Sequence, residues 1–268
     1  MLTEANDIWV RYRLDGLEPS HGVEKAPVVM LSHALATKLE VWDPQIDALS
    51  ERFQILRYDI RGHGGSDIMS GPYQLEALVE DAVQLLSRCQ ISQVHFVGLS
   101  LGGMIGQLLA AIHPELVASL VLCSTSYRTP PEKYAEWDQR IQIAQTAGMR
   151  AHVEPTIARW FTADFIKDHP NEVNPIRDMI GSTYEQGYAG CAHVVRDLDL
   201  TDKLPLIKAP TLVVGGENDA GNPPETTADL AARIGAEVKT VPSSAHLCNV
   251  EQPDLFNNTL LEFLTARL

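Results

Sequence analysis

The chain has 268 residues, of which 45% are hydrophobic and 21% are charged, and its formal net charge is −14 at pH 7. This length suits one large domain or two small ones, and the composition excludes fibrous, collagen-like and disordered proteins. No cluster of basic residues interrupts the acidic balance. Nucleic acid is therefore not an expected partner, because phosphate binding needs a local cationic surface.

The cysteines and the amino-terminal residues indicate a reducing compartment. The four cysteines are Cys89, Cys123, Cys191 and Cys248. Their spacing contains no CxxC pair or zinc motif, and no apolar signal-peptide run opens the chain. The uncharged stretch at 89–114 contains glycines and polar residues that fit a buried strand-turn-helix better than a membrane span. We expect a cytoplasmic protein without a membrane segment or a metal.

Short β-rich runs alternate with helix-periodic segments along the chain. Strands are expected at residues 28–31, 53–58, 94–97, 120–122, 211–214 and 236–241. Helices are expected at residues 75–86, 101–112 and 253–264. The mostly apolar strands predict burial on both faces. The alternation predicts an α/β protein with a mostly parallel central sheet flanked by helices.

The strand pattern stops between residues 127 and 200. This segment is helix-leaning, and prolines interrupt its aromatic residues. We predict a helical cap, residues 127–200, inserted into a core formed by residues 1–126 and 201–268. A separate small domain with its own role is the alternative.

Gly-Leu-Ser-Leu-Gly at residues 98–102 lies between a predicted strand and a predicted helix. In that setting G-x-S-x-G forms a sharp turn that exposes the serine hydroxyl. Gly98 and Gly102 are needed because side chains at these positions would collide. The motif predicts Ser100 as a nucleophile, with the first N–H groups of the helix facing an oxyanion.

A serine hydroxyl needs a base within hydrogen-bond reach. Among nine histidines, His246 is preferred because it follows the predicted strand 236–241 in a polar loop at the sheet edge of Ser100. His33 and His63 also follow strands, but they precede the serine, whereas this arrangement runs serine, acid, histidine.

The base in turn needs an acid that orients it. Glu217 and Asp219 compete after the predicted strand 211–214. We expect Asp219 in preference to Glu217, because its shorter side chain fits. The alternative position for the acid, after the preceding strand 120–122, holds no acidic residue. Ser100, His246 and Asp219 should then form a hydrogen-bonded row that the fold assembles.

The backbone N–H groups of Leu35 and Leu101 are the predicted oxyanion donors. Leu101 follows the nucleophile, and Leu35 lies in the loop 32–37 after the first predicted strand, which normally supplies the second donor. His33 is expected to brace this loop. Arg-Gly-His-Gly-Gly-Ser at residues 61–66 is interpreted as a tight structural loop, because it lacks the lysine of a phosphate-binding loop.

These residues resemble the α/β-hydrolase fold family over essentially the whole chain. The resemblance rests on residues 58–64 and 98–103 and on the acid and histidine loops. Within the family the chain is similar to 3-oxoadipate enol-lactone hydrolases, at residues 122–125, 187–192, 196–199 and 245–253. The loop 32–37 departs from the Ser-Asn-Ser-Leu-Gly-Thr type of those lactonases.

The resemblance implies a serine hydrolase that opens a lactone or cleaves a carboxylic ester through an acyl-enzyme, without a cofactor or metal. The enol-lactone carries a carboxylate, whose binding to this acidic chain needs a local cation. Arg196 is a candidate, and an ion pair with Asp197 or Asp199 is the alternative. Trp137 is a candidate for lining the substrate cavity, and simple packing is the alternative.

Other activities stay open at this point. A broad carboxylesterase or perhydrolase and a carbon-carbon bond hydrolase would use the same triad. A small-molecule receptor with slow turnover would retain it, since a fold does not determine a function. Dehalogenases and epoxide hydrolases of this fold use an aspartate nucleophile, which disfavours both.

Overall fold

The structure is a computed structural model that describes residues 1–17 and 26–268. The described residues form eight strands: β1 (Leu2–Ala5), β2 (Ile8–Gly16), β3 (Val28–Ser32), β4 (Gln54–Tyr58), β5 (Val94–Leu99), β6 (Val117–Cys123), β7 (Thr211–Gly216) and β8 (Glu237–Val241). They also form eleven α-helices: α1 (Asp43–Ser50), α2 (Leu75–Arg88), α3 (Leu101–Ile112), α4 (Tyr134–Ala147), α5 (Val153–Trp160), α6 (Ala163–Asp168), α7 (Pro170–Ser182), α8 (Glu185–Arg196), α9 (Pro224–Ile234), α10 (Cys248–Glu251) and α11 (Pro253–Thr265). None of the helices in these two ranges is long and apolar enough to cross a membrane.

The eight described strands form one sheet in the order β1-β2-β4-β3-β5-β6-β7-β8. All neighbours from β4 to β8 pair in parallel, whereas β1 and β2 pair in antiparallel fashion at one edge. Every residue of β5 and of β7 is buried, so both faces of the central sheet are covered. The predicted α/β architecture with a mostly parallel sheet is confirmed.

The two edges of the sheet differ from the sequence prediction. At one edge, β1 and β2 form a hairpin that the prediction missed. Its turn residues Asn6 and Asp7 have φ angles of 49° and 61°, the left-handed pair of a type I′ turn, here without the glycine that usually marks it. At the other edge, β8 is exposed from Glu237 to Thr240, so the expected burial on both faces is wrong for this strand.

Five helices, α4 to α8, lie between β6 and β7, in a segment that the structure describes completely. They fall within residues 127–200, which we call the cap. An isolated β-bridge between Arg128 and Asp199 joins the two ends of this segment. The chain therefore leaves the sheet and returns to it at neighbouring points.

The parallel strands bring four distant segments to one edge of the sheet. The carboxyl ends of β3, β5, β7 and β8 lie on the same side because these strands run in the same direction. They lead respectively into the loop 32–37, Ser100, Asp219 and the loop that carries His246. We call this edge the rim.

Candidate active site

Ser100 lies at the turn between β5 and α3. Its backbone has φ 54° and ψ −111°, a combination that non-glycine residues adopt only when the surroundings enforce it. Its N–H donates to the carbonyl oxygen of Cys123 at 2.8 Å, and its own carbonyl accepts a hydrogen bond from Thr125 Oγ1 at 2.8 Å. The end of the neighbouring strand β6 therefore holds the strained turn.

Two glycines make this turn sterically possible. A Cβ atom at Gly98 would lie 2.3 Å from the carbonyl oxygen of Gly102, and one at Gly102 would lie 2.1 Å from that of Ser32. The N–H of Gly102 donates to the carbonyl oxygen of His33 at 3.1 Å. The expected collision of side chains is confirmed, and the turn is tied directly to the loop 32–37.

His246 and Asp219 form a buried pair. His246 Nδ1 lies 2.8 Å from Asp219 Oδ2, and the two side chains are 7% and 0% exposed. The other carboxylate oxygen accepts the N–H groups of Gly221 and Asn222 at 2.9 and 3.1 Å. Because Nδ1 donates to this fixed carboxylate, Nε2 is the nitrogen left with a free lone pair.

The competing acid has a different partner. The carboxylate of Glu217 accepts the N–H of Ser243 at 3.0 Å at the protein surface. The geometry thus pairs Asp219, and not Glu217, with the histidine.

The hydrogen bond expected between Ser100 and His246 is not formed. Neither Ser100 Oγ nor His246 Nε2 makes a hydrogen bond to any residue in the described part of the chain. The expected row is therefore present from His246 to Asp219 and is not closed from Ser100 to His246. Both atoms are left available to each other or to a ligand.

The N–H groups of Leu35 and Leu101 have no acceptor among residues 1–17 and 26–268. Leu101 is the first residue of α3, so its N–H has no partner within the helix. Leu35 is 7% exposed and lies in the loop that Gly102 contacts. Two free donors on adjoining segments fit the predicted oxyanion role, which stays a prediction.

Two buried histidines fix this loop. His33 Nε2 accepts the N–H of Ile60 at 2.9 Å, and its Nδ1 donates to the carbonyl of Ala34 at 2.8 Å. His63 Nε2 accepts the N–H of Ala36 at 3.0 Å. Burial lowers the pKa of both imidazoles, that of His63 to about 3. Both rings therefore remain neutral acceptors, and His33 braces the loop as expected.

Trp160 joins the cap to the rim, a role that the sequence analysis did not identify. Its indole stacks on the imidazole of His246 with ring centroids 5.7 Å apart and an interplanar angle of 22°. Its carbonyl oxygen accepts the N–H of Leu247 at 3.1 Å. The helix α5 thus contacts the histidine loop through both ring and backbone.

Glu251 also connects the histidine loop to the cap, a contact that the sequence analysis did not predict. This carboxylate is 5% exposed. One oxygen accepts the N–H of Ala245 at 2.8 Å, and the other accepts the N–H of Thr162 at 2.8 Å. The signal available in the sequence was an acidic residue directly after the uncharged residues 247–250.

The two candidate substrate residues lie in the cap. Arg196 pairs with Asp138, with Nε and Oδ1 2.6 Å apart, and with Asp197. This arrangement favours the ion-pair alternative, and a contact of Arg196 with substrate stays a prediction. The half-buried Trp137 lies under the guanidinium of Arg140, 4.6 Å from the ring centroid. Its place in a substrate cavity also stays a prediction.

Two further observations delimit the site. Within the described ranges, no group of three or more His, Cys, Asp and Glu side chains is arranged to hold a metal ion. A groove of about 580 Å³ lies between α7 and the core, lined among others by Val41, Met179 and Val250. None of the predicted catalytic residues lines this groove, so it is separate from the rim.

The chain is similar in sequence and fold to known hydrolases. A family model described as the alpha/beta hydrolase fold matches residues 27–253. The 3-oxoadipate enol-lactonase 2 of Acinetobacter baylyi is 32% identical over 242 residues, which cover 89% of each chain. A putative carbamate hydrolase RutD of Rhizobium rhizogenes is 31% identical, covering 92% of this chain and 97% of the relative. The crystal structure of the enol-lactonase from Burkholderia xenovorans LB400 superimposes with a TM-score of 0.93 at 37% identity, covering 99% of this chain and 100% of the other.

Proposed function

The chain belongs to the α/β hydrolase fold family and is a lactone or ester hydrolase, and from that premise we propose that Ser100 opens the ring of a small enol-lactone through an acyl-enzyme. The observation that carries the proposal is the buried pair of His246 and Asp219 at the same rim as the strained Ser100 turn. The similarity to two enol-lactonases supports the choice of substrate.

In the first step Ser100 Oγ attacks the lactone carbonyl carbon while His246 Nε2 takes the hydroxyl proton. Asp219 accepts the Nδ1 hydrogen bond and stabilises the imidazolium that forms. The negative charge on the carbonyl oxygen is met by the N–H groups of Leu35 and Leu101, which are free for this purpose. Preorganised donors of this kind often provide the largest single contribution to acyl transfer.

In the second step the ring carbon–oxygen bond breaks and His246 returns its proton to the leaving enolate. The leaving group stays tethered to the acyl chain and tautomerises to a ketone. Water, deprotonated by His246, then attacks the acyl carbon and releases Ser100. The net reaction adds one water to the lactone and yields a keto acid.

The open bond between Ser100 and His246 fits an enzyme without bound substrate. Catalytic hydrogen bonds are often long or unformed in the free state and tighten in the complex. Because neither atom has another described partner, rotation of the hydroxyl is not opposed by a competing hydrogen bond.

Covalent labelling tests the nucleophile. We expect an organophosphonate to add one label, located on Ser100 by peptide mass spectrometry. Ser100→Ala should lose both the label and turnover, whereas Ser92→Ala, at an exposed loop serine, should retain both. A label on another residue, or full turnover by Ser100→Ala, would overturn the proposal.

A substrate panel tests the activity. We expect kcat/KM for 3-oxoadipate enol-lactone to exceed that for a simple aryl ester and for a carbamate by at least about tenfold. A broad carboxylesterase is the second candidate, because the loop 32–37 departs from the lactonase type at the expected acyl pocket. A higher kcat/KM on the aryl ester would favour it, and a preference for the carbamate would contradict both candidates.

A further inference from the structure

The strand β8 forms an open edge of the sheet. It is the last strand in the order, and it pairs with β7 on one side and with no strand of residues 1–17 and 26–268 on the other. Residues 237–240 are all exposed, and Val238 retains 46% of its accessible surface. Such an edge presents unpaired backbone N–H and C=O groups to any further strand. What pairs with β8 therefore depends on these groups and on the side chains beside them.

The outward-pointing backbone groups of β8 belong to Val238 and Thr240. The carbonyl oxygen of Val241 accepts the N–H of Glu217, which directly follows β7, at 3.0 Å. The backbone groups of Val241 are therefore turned towards β7. Since successive residues of a strand turn these groups to opposite edges, Val238 and Thr240 present their N–H and C=O groups to the open side.

Two copies of β8 can pair in antiparallel fashion about a two-fold axis. With the axis beside Val238, the two Val238 residues exchange their N–H and C=O groups, and each Thr240 N–H meets the Ala236 carbonyl of the other copy. The N–H of Ala236 needs no partner there, because it already donates to the carbonyl of Ala231 at 2.9 Å. The N–H groups of Val238 and Thr240 are then satisfied in both copies.

The charged side chains of β8 select this register. With the axis beside Val238, Glu237 of each copy lies directly opposite Lys239 of the other. Pairs that exchange no backbone hydrogen bonds bring their side chains closest together. Opposite charges in such a pair are stabilising, and like charges are destabilising. An axis beside Glu237 or Lys239 would instead set two like charges opposite each other.

Local charge balance matters because the whole chain is acidic. Each copy has a formal net charge of −14, so two copies repel unless their contact surface brings opposite charges together. Lys239 forms no ion pair with a carboxylate in the described ranges. Arg267 Nη2 lies 3.2 Å from Glu237 Oε1 and adds a second cation at this edge. The edge of β8 thus supplies an unpaired lysine that an acid of a second copy complements.

The opposite edge of the sheet lacks these properties. At β1 the carbonyl oxygen of Glu4 already accepts a hydrogen bond from Arg88 Nε at 3.0 Å. The strand contains one acidic side chain and no basic one, so no antiparallel pairing of two β1 strands sets opposite charges against each other. Self-pairing is therefore favoured at β8 and not at β1.

We propose that two copies of this chain associate through antiparallel pairing of their β8 edges, centred on Val238, into a dimer with one continuous sheet. The inference goes beyond the proposed hydrolase activity and does not depend on it. The strands that end at the rim run parallel to β8, so the rims of the two copies point in opposite directions. We therefore expect turnover per chain to be the same in the monomer and in the dimer.

Charge reversal tests both the interface and its register. We expect the wild-type protein to sediment as a dimer that dissociates on dilution, over concentrations from about 100 to about 1 μM. Lys239→Glu and Glu237→Lys should each raise the Kd of the dimer by at least about tenfold, since both cross-strand pairs become like-charged. An equal mixture of the two variants should recover the wild-type Kd, because the mixed pair again sets opposite charges against each other. The double variant should dimerise alone for the same reason.

Matched controls change the same charges elsewhere. Lys167→Glu and Glu132→Lys lie at exposed positions of the cap and should retain the wild-type Kd. Glu237→Lys also separates local from general electrostatics, because it lowers the net negative charge and would strengthen association if only net charge mattered. Circular dichroism and the melting temperature verify that each variant is folded, and kcat/KM on one ester should equal the wild-type value.

Three outcomes would overturn the dimer as proposed. A wild-type protein that sediments as a monomer throughout the concentration range would exclude it. A dimer that neither charge reversal weakens would lie at another surface. Dissociation in both single variants without recovery in their mixture would exclude the register centred on Val238. Failure of the proposed function is read separately, from the label on Ser100 and from turnover.

Discussion

The rim and the cap use buried polar groups in opposite ways. At the rim the carboxylate of Asp219 accepts hydrogen bonds from His246, Gly221 and Asn222. In the cap the half-buried guanidinium of Arg159 donates one hydrogen bond, to Thr156 Oγ1, and interacts with the carboxylate of Glu136 only through its charge. The comparison teaches that the rim fixes its charged groups through several short hydrogen bonds, whereas the cap holds this cation with fewer direct contacts.

The largest effect is expected from a substitution in the pair of His246 and Asp219. Asp219→Asn should reduce kcat by about 10⁴-fold, because an amide favours the wrong tautomer of His246. Glu217→Gln is the matched control and should leave kcat near the wild-type value, since Glu217 contacts Ser243 instead. Steady-state kinetics on one ester measure both variants. The reverse result would show that the histidine is oriented by the other acid.

The next largest effect is expected at Glu251, which connects the histidine loop to the cap. In Glu251→Gln one backbone N–H, of Ala245 or of Thr162, would face an amide N–H₂ in place of an acceptor. We expect the free energy of unfolding to fall by about 1 to 3 kcal/mol, the cost of a buried unsatisfied donor, and kcat to fall with it. Urea unfolding measures the change. Glu262→Gln, exposed on α11, is the control, and an equal loss there would contradict the prediction.

The third prediction concerns the contribution of His63 to the free energy of unfolding and its dependence on pH. The pKa of His63 is lowered by burial from 6.5 to about 3, so between these values the unfolded chain binds a proton that the folded chain does not. His63 therefore contributes stability that is complete above the unfolded pKa and is lost as pH falls towards 3. One such proton corresponds to about 1.4 kcal/mol per pH unit.

The variant His63→Asn retains an acceptor for Ala36 and should flatten this pH dependence of the unfolding free energy. Urea unfolding across the same pH window measures the slope. His169→Asn, at an exposed position of the cap, should leave the slope unchanged. An unaltered slope in His63→Asn would show that this imidazole is not kept neutral by the fold.

The smallest effect is expected at a surface ion pair of the cap. Arg177 pairs with Glu154 at the surface, with Nε and Oε1 2.8 Å apart. We expect Arg177→Gln to cost less than about 1 kcal/mol, because exposed ion pairs contribute little. Thermal unfolding measures it. A larger loss would mean that surface pairs, and not the helix packing, hold the cap together.

Much of the rim could be predicted because its signals are local or topological. The Gly98 and Gly102 contacts follow from the sterics of a sharp turn, and the ends of parallel strands must meet at one edge. The prediction of Asp219 over Glu217 rested on side-chain length, since both acids follow the same strand. The hydrogen bond between Asp219 and His246 supports that prediction.

The cap could be predicted only as helical, for an equally physical reason. Whether an arginine has a carboxylate partner depends on how separate helices pack, and hydrophobic periodicity does not report this. Arg196 and Arg159 look alike in the sequence, yet one is paired twice and the other is not. The Trp160 stack on His246 is a contact of the same long-range kind.

The double contact of Trp160 with the histidine loop has a consequence for engineering this protein. Its indole meets the imidazole of His246, and its carbonyl meets the N–H of Leu247. A chimera that grafts a foreign cap onto this core must therefore recreate both contacts, or the transplanted helices will disturb the loop of His246 even when the core is unaltered. Exchange of cap helices between homologues is best attempted with position 160 left intact.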